Sequence, residues 1–283
     1  MMLRRRTISD TVIPPITFGR RVFHIVLFSL TLAFPFGAFS EPAMLDVPTD
    51  SVQLQKMVID LDRRIAGNPD DAQAYLKRGE ALFKLQEFDK AIEDFSAALR
   101  RDDKLDDAYF GRGMALGRRG QIKDGIADLS VYLQRHPDSS LAYTKRGVRY
   151  IWMGDLEKAE KDLERAIALN ARNAEAHDDL GVILAQRGDY AAAISHFQAT
   201  LQSDPSYQKA HHNLAMVHYI TGEYQKALTS VNASLNLLSE SRDSMMLKAA
   251  ILESLGRHGE AKVAREEAEF MPEGNRSERA AVQ

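Results

Sequence analysis

Six small residues recur at a fixed step of 34 positions: Gly79, Gly113, Gly147, Gly181, Ala215 and Ala249. No insertion interrupts the step. Seven residues after each comes Gln86, then Gly120, Gly154, Gly188, Gly222 and Gly256. Five further on stand Ala91, Gly125, Ala159, Ala193, Ala227 and Ala261, and one helical turn beyond them Phe95, Leu129, Leu163, Phe197, Val231 and finally Arg265. A chain repeating itself in phase at this length folds as stacked units, because one such unit leaves an apolar face that only its neighbours can bury.

The spacing predicts two antiparallel helices per unit. In "DLGVILAQRGDYAAAISHFQATLQSDP", residues 179–205, Leu180, Gly181 and Leu184 share a face of the first helix, and the small Gly181 lets the second helix approach closely. Gly188 supplies the left-handed residue that ends the first helix and turns the chain. Tyr190, Ala193 and Phe197 form the inward stripe of the second helix, with Ala193 at the close contact. Pro205 stops it, since proline cannot continue a helix interior. In the second unit Gly125 replaces an alanine and weakens its helix by about 1 kcal/mol; it makes room either for Tyr132 or for bulk from a neighbouring unit.

The order of an aromatic, Leu-Gly, Tyr, Ala, Phe and Pro over 34 residues resembles the tetratricopeptide repeat, most fully in "HDDLGVILAQRGDYAAAISHFQATLQSDP", where His177 replaces the usual tryptophan. The resemblance implies an all-α fold: a right-handed superhelical solenoid of antiparallel helix pairs, with about six 34-residue units at 72–105, 106–139, 140–173, 174–207, 208–241 and 242–275. Before them, residues 41–71 are expected to form a linker and a capping helix over 52–67, the second helix of a degenerate unit. At the other end Arg265 and the run "AREEAE" suit a polar capping helix, as solenoid ends require. Residues 276–283 are expected to be a disordered tail.

Residues 1–40 differ from the rest. They hold five arginines and one acid, Asp10, followed by an apolar run densest from Ile25 to Phe34 and a small-residue site at Ala38-Phe39-Ser40. That is the layout of a signal peptide cleaved after Ser40. The alternatives are an uncleaved membrane anchor over 22–39, which Pro35, His24, Ser29 and Thr31 weaken, a twin-arginine export signal at "RRVF", and a mitochondrial presequence. The expected location is a bacterial periplasm, or the outer side of the inner membrane if the segment is retained. The whole chain has a formal charge of −3; without residues 1–40 it becomes about −7, unsuited to phosphate backbones, so no nucleic-acid partner is expected. Cysteine is absent, which excludes disulfides, thiolate metal sites and cysteine nucleophiles.

Nothing in the residues suggests catalysis. His177 and His211 occupy aromatic packing positions, and His211, His212 and His218 point to different faces of one helix, so no metal is expected. Asp178-Asp179 and Glu266-Glu267 read as solvated faces, and no phosphate-binding or nucleophile motif is present. No cofactor and no small-molecule substrate are expected. The resemblance instead implies a partner-binding groove on the concave side, lined by first helices. Its matching positions here are Phe110, Met114, Lys145, Val148, Trp152, Asp179, Asn213, Met216 and Tyr219, joined by Ile151, Asp178, Val182, His212 and Ile220. Trp152, the single tryptophan, is expected at the centre of the groove or packed in the core. The Lys/Asn clamp by which chaperone-docking members of the family hold a terminal carboxylate is not reproduced, because its positions read Leu76 and Glu80, or Thr144 and Val148; Lys209 and Asn213 alone do not restore it. The expected function is that of a non-catalytic adaptor holding a protein or peptide partner in the groove during assembly of an envelope complex, or alternatively a membrane-tethered assembly factor.

Overall fold

The computed structural model describes residues 50–271 together with Pro48. The expected signal peptide or anchor over residues 1–40 and the expected tail at 276–283 lie outside the described residues. Thirteen α-helices and no strands are found among those described. α1 (Ser51–Gly67) precedes six pairs: α2 (Ala72–Lys84) with α3 (Phe88–Arg101), α4 (Asp106–Arg118) with α5 (Ile122–Arg135), α6 (Ser140–Met153) with α7 (Leu156–Leu169), α8 (Ala174–Gln186) with α9 (Tyr190–Ser203), α10 (Gln208–Ile220) with α11 (Tyr224–Leu237), and α12 (Arg242–Ser254) with α13 (His258–Phe270). No described helix is long and apolar enough to cross a membrane.

Local chemistry sets the helix ends. Asp50, Asp71, Ser139, Asp155, Asn173, Asp189 and Ser241 each accept, on the side chain, a backbone N–H of the first turn that has no partner within the helix. At the end of each first helix the expected glycine is left-handed, with φ between +73° and +84° from Gly120 to Gly256. The N–H of the following residue then donates back to the last turn, as from Asp189 to the Leu184 carbonyl at 3.0 Å. Gln86 takes the same conformation at φ +62° and bears the strain that glycine avoids.

The small residues are contact points, as the spacing predicts. A Cβ on Gly181 would lie 2.7 Å from the Phe197 ring, and one on Gly79 would lie 3.0 Å from Phe95. Phe95, Leu129, Leu163, Phe197 and Val231 are fully buried in these seams. Gly125 makes room for neither: an added Cβ would meet the carbonyl oxygen of Gly113, in its own unit, at 2.8 Å, so α4 and α5 touch through backbone, while Arg149 of the next unit comes only to 3.6 Å. Tyr132 packs instead between Phe110 and His136, with centroids 5.2 and 4.4 Å away.

The first three pairs share a charged brace. The Arg78 guanidinium grips the Asp94 carboxylate with two bonds of 2.7 Å, Arg112 grips Asp128 at 2.7 and 2.9 Å, and Arg146 grips Asp162 at 2.7 and 2.8 Å. The third nitrogen of each reaches the helix before, at Asp62 of α1, Ser96 of α3 and Ser130 of α5. One cation thus ties three helices. In the last three pairs the same slots hold Leu180 and His196, Leu214 and Ser230, and Lys248 and Ala264.

Candidate functional site

Each helix packs on its chain neighbours, and consecutive first helices also touch one another while consecutive second helices meet at most marginally. The first helices therefore line the inner side of the curve, where the expected groove lies.

Curvature that brings first helices together also buries part of the expected groove. Phe110, Met114, Val148 and Met216 are buried, each at most 8% exposed, because their positions fall in the seam between adjacent first helices. Val182 and His212 share that burial. Trp152, Asp179, Asn213 and Tyr219 remain half-exposed, as do Ile151 and Ile220. The surface open to a partner is thus narrower than the sequence positions suggest.

Its polar centre is also differently wired. Lys145 is buried and both Glu175 oxygens accept from its ammonium group, at 2.8 and 2.7 Å. Asn213 donates to Asp178 Oδ1 at 3.1 Å. Lys145 and Asn213, two of the polar residues expected in the groove, are therefore engaged within the protein. Asp178 and Asp179 are not a solvated face. Asp178 is 3% exposed, and burial pushes its carboxyl up to about 6 against the pull of Lys209 and Asn213. Asp179 is pushed well above the ordinary range by burial and by the nearby Glu175 and Asp178 charges. Its Oδ2 is buried with no hydrogen-bond partner among the described residues. A buried acceptor in that condition costs on the order of 1–3 kcal/mol, which a donor brought by a ligand would recover. The same carboxylates, with burial foremost, push the neighbouring Tyr207 phenol up.

Beside this centre lies a residue the sequence reading passed over. Arg149 is 2% exposed, and its guanidinium donates only to neutral acceptors: the Lys145 carbonyl at 2.7 Å, the Met114 carbonyl and sulfur at 3.3 and 3.2 Å, and the Gly113 carbonyl at 3.4 Å. It also sits 5.6 Å from the Trp152 ring centroid, an attraction between cation and π face that holds the indole at the groove wall. Burial, with the nearby Arg118 charge, lowers its pKa to about 9. The space exists because Gly117 has no side chain; a Cβ there would lie 2.8 Å from the guanidinium. The signal in the sequence was the excess of glycines at 111, 113, 117 and 125, all in one unit.

Four histidines of repeats 4 and 5 are engaged within the protein. His177 shares a 2.9 Å contact between Nδ1 atoms with His196 and approaches the Ala171 carbonyl at 3.3 Å, while His211 approaches the Pro205 carbonyl at 3.1 Å. His212 meets Ser244 Oγ at 2.8 Å inside the core. No group of three or more potential metal ligands occurs among the described residues. Glu266 and Glu267 are exposed, as expected.

Comparison with known proteins bears on this architecture. No curated protein sequence matches the chain. Among solved structures, a tetratricopeptide repeat protein from Parabacteroides merdae superposes with a TM-score of 0.64 at 14% identity, over 93% of this chain and 98% of that one. The Cut9–Hcn1 hetero-tetramer of APC/C gives 0.68 at 18%, over 83% of this chain; the chain spans less than half, 46%, of that protein's length. YrrB, described as a TPR protein with an unusual peptide-binding site, gives 0.53 at 22%, over 66% of this chain and 97% of that one. At these identities the likeness is one of fold. Four family models, each described as tetratricopeptide repeat, match residues 72–105, 107–139, 144–208 and 184–251, which together take in more than half of the sequence. With their phase fixed by the glycine turns and their helices paired as found, the chain belongs to the tetratricopeptide repeat family.

Proposed function

We propose that the protein is a non-catalytic scaffold that holds an extended peptide segment of a protein partner on the concave side of repeats 3 to 5. The observation that carries this reading is the half-exposed line of Trp152, Asp179 and Tyr219 on consecutive first helices, with the unsatisfied Asp179 Oδ2 at its middle. Trp152 and Tyr219 offer amphipathic anchors, the residue types that dominate binding energy at interfaces. Asp179 offers an acceptor. Three carboxylates, Glu175, Asp178 and Asp179, face the ammonium groups of Lys145 and Lys209, so the centre suits a segment bringing N–H donors and not a terminal carboxylate. Adaptor roles typical of the family and the peptide-binding site described for YrrB support the same reading.

The basic, apolar leader supports placing this scaffold outside the cytoplasm, where it would assist assembly of an envelope complex. Retention of residues 22–39 would make it a tethered assembly factor instead; N-terminal sequencing of the processed protein separates the two. The groove reading is tested with Trp152→Ala and Tyr219→Ala together. Capture of the partner identified by pull-down is expected to weaken by about 30-fold or more, from about 2 kcal/mol for an aromatic anchor, while helical content is kept. Unchanged capture would place the binding surface elsewhere.

A further inference from the structure

The polar centre of the concave side is short of one cation. Lys145 and Asp179 are counterparts, 34 residues apart on α6 and α8, and each has a residue of opposite charge 30 positions further on, at the start of the next first helix. For Lys145 this residue is Glu175, whose two oxygens accept from its ammonium group at 2.8 and 2.7 Å. For Asp179 it is Lys209, whose charge acts on the carboxyl without a bond to its Oδ2. That oxygen is buried with no hydrogen-bond partner among the described residues, although the residue as a whole is half-exposed at the groove. The adjacent Asp178 is already engaged, its Oδ1 accepting from Asn213 at 3.1 Å. Glu175, Asp178 and Asp179 thus set three carboxyls against the ammonium groups of Lys145 and Lys209.

On the reading that the groove binds a partner's segment, we propose that the cation it lacks is a lysine or arginine side chain of that segment, received by Asp179 on α8 with Trp152 of α6 and Tyr219 of α10 to either side. An aspartate carboxyl turns about χ2 in a broad, two-fold well, so Oδ2 can change places with Oδ1 and meet a donor entering from the groove. A charge-assisted bond is roughly twice as strong as one between neutral groups, and here it also satisfies an acceptor that folding left bare. Burial, with the Glu175 and Asp178 charges, favours a proton on Asp179 while the groove is empty. An entering ammonium or guanidinium group takes that proton's place, so the centre keeps its charge balance. A bare metal ion does not fit, since no three potential ligands converge among the described residues. The cation therefore arrives on a chain with its own anchorage, and the half-exposed Trp152 and Tyr219 offer that chain its walls. Acidic side chains are turned away from the same place by like charge.

Random peptides of fixed length, displayed on phage, are selected on the full chain and in parallel on Trp152→Ala with Tyr219→Ala. Peptides retained by the first and lost by the second bind the groove, and these are expected to share a lysine or arginine at one aligned position. In such a peptide, norleucine for the lysine or citrulline for the arginine should weaken binding to the full chain by about tenfold or more, the scale of a close charge pair, and to Asp179→Asn by less than about twofold. That variant removes a buried ionisable group with little change of shape and should keep its melting temperature or raise it. Groove-binding peptides without a fixed cation, or an equal loss on both proteins, would overturn the assignment to Asp179 and leave the groove reading standing. Peptides held equally in both selections, or none retained in either, would overturn the groove reading and the cation with it.

Discussion

Repeats 1 to 3 and repeats 4 to 6 share one backbone plan and fill the same slot with different chemistry. In the first half an arginine and an aspartate 16 residues apart join the two helices of each unit through a bidentate grip, and Tyr75 and Tyr109 lie against the guanidinium groups of Arg101 and Arg135 at 4.2 and 5.3 Å. In the second half the tyrosine positions hold His177 and His211, and the grip is replaced by the His177–His196 contact or by Leu214 with Ser230. Apart from Asp178, its buried polar residues are histidines, serines and a threonine, as in the chain from Gln208 through Ser234 and Ser244 to His212. Shape alone therefore specifies the unit. The braces set register in one half, and packing with short hydroxyl and imidazole bonds does so in the other. The candidate partner-binding centre lies where the two meet, with its lone acceptor on α8, the first helix without the brace.

The largest effect that would sharpen this contrast is removal of one carboxylate. Asp128→Ala leaves the largely buried Arg112 cation without its partner and should cost about 3 kcal/mol in urea unfolding. Ser230→Ala, in the equivalent slot of repeat 5, should cost less than about 0.5 kcal/mol. Equal losses would break the distinction between the halves. The next effect is one of pH. The folded protein holds the Asp178 proton up to about 6, against an ordinary value of 3.8, so in that interval it binds more protons than the unfolded chain and its stability falls as pH rises. Replacing the pair by Asp178→Asn with Asp179→Asn should therefore raise stability at pH 7 by about 2 kcal/mol and leave little gain at pH 4. A gain independent of pH would show that the carboxylates are not the source. The smallest effect belongs to the one turn lacking glycine: Gln86→Gly should stabilise by about 0.5–1 kcal/mol, by relieving the positive φ.

The backbone plan was legible because each of its devices recurs at one step: turn glycines, close-contact alanines and the apolar residues opposite them. The braces were legible by the same rule, since Arg78, Arg112 and Arg146 and their aspartates also recur at 34, but attention to small and apolar residues passed over them. The site was less so. Whether Phe110 or Met216 faces a partner depends on how far adjacent first helices close on each other, which is a property of curvature and not of either residue. Asp178 and Asp179 read as a hydrated pair because neighbouring acids on a helix usually are; the structure buries Asp178 and half-buries Asp179 because Lys145 and Asn213 from the flanking units, and Tyr207 at the end of their own, crowd around. No local pattern around Arg149 announced its burial, since the room for it is made by glycines in the unit before.

Arg149 has a further consequence, for how such a chain can diversify. Repeat proteins lengthen and recombine by duplicating or deleting whole units. The guanidinium of repeat 3, however, is solvated by carbonyls of repeat 2 and seated over its Gly117. Excising repeat 2 alone would strand a cation, and excising repeat 3 alone would leave a hollow behind the glycines. These two units are therefore heritable only as a pair, a fixed joint in an otherwise modular chain.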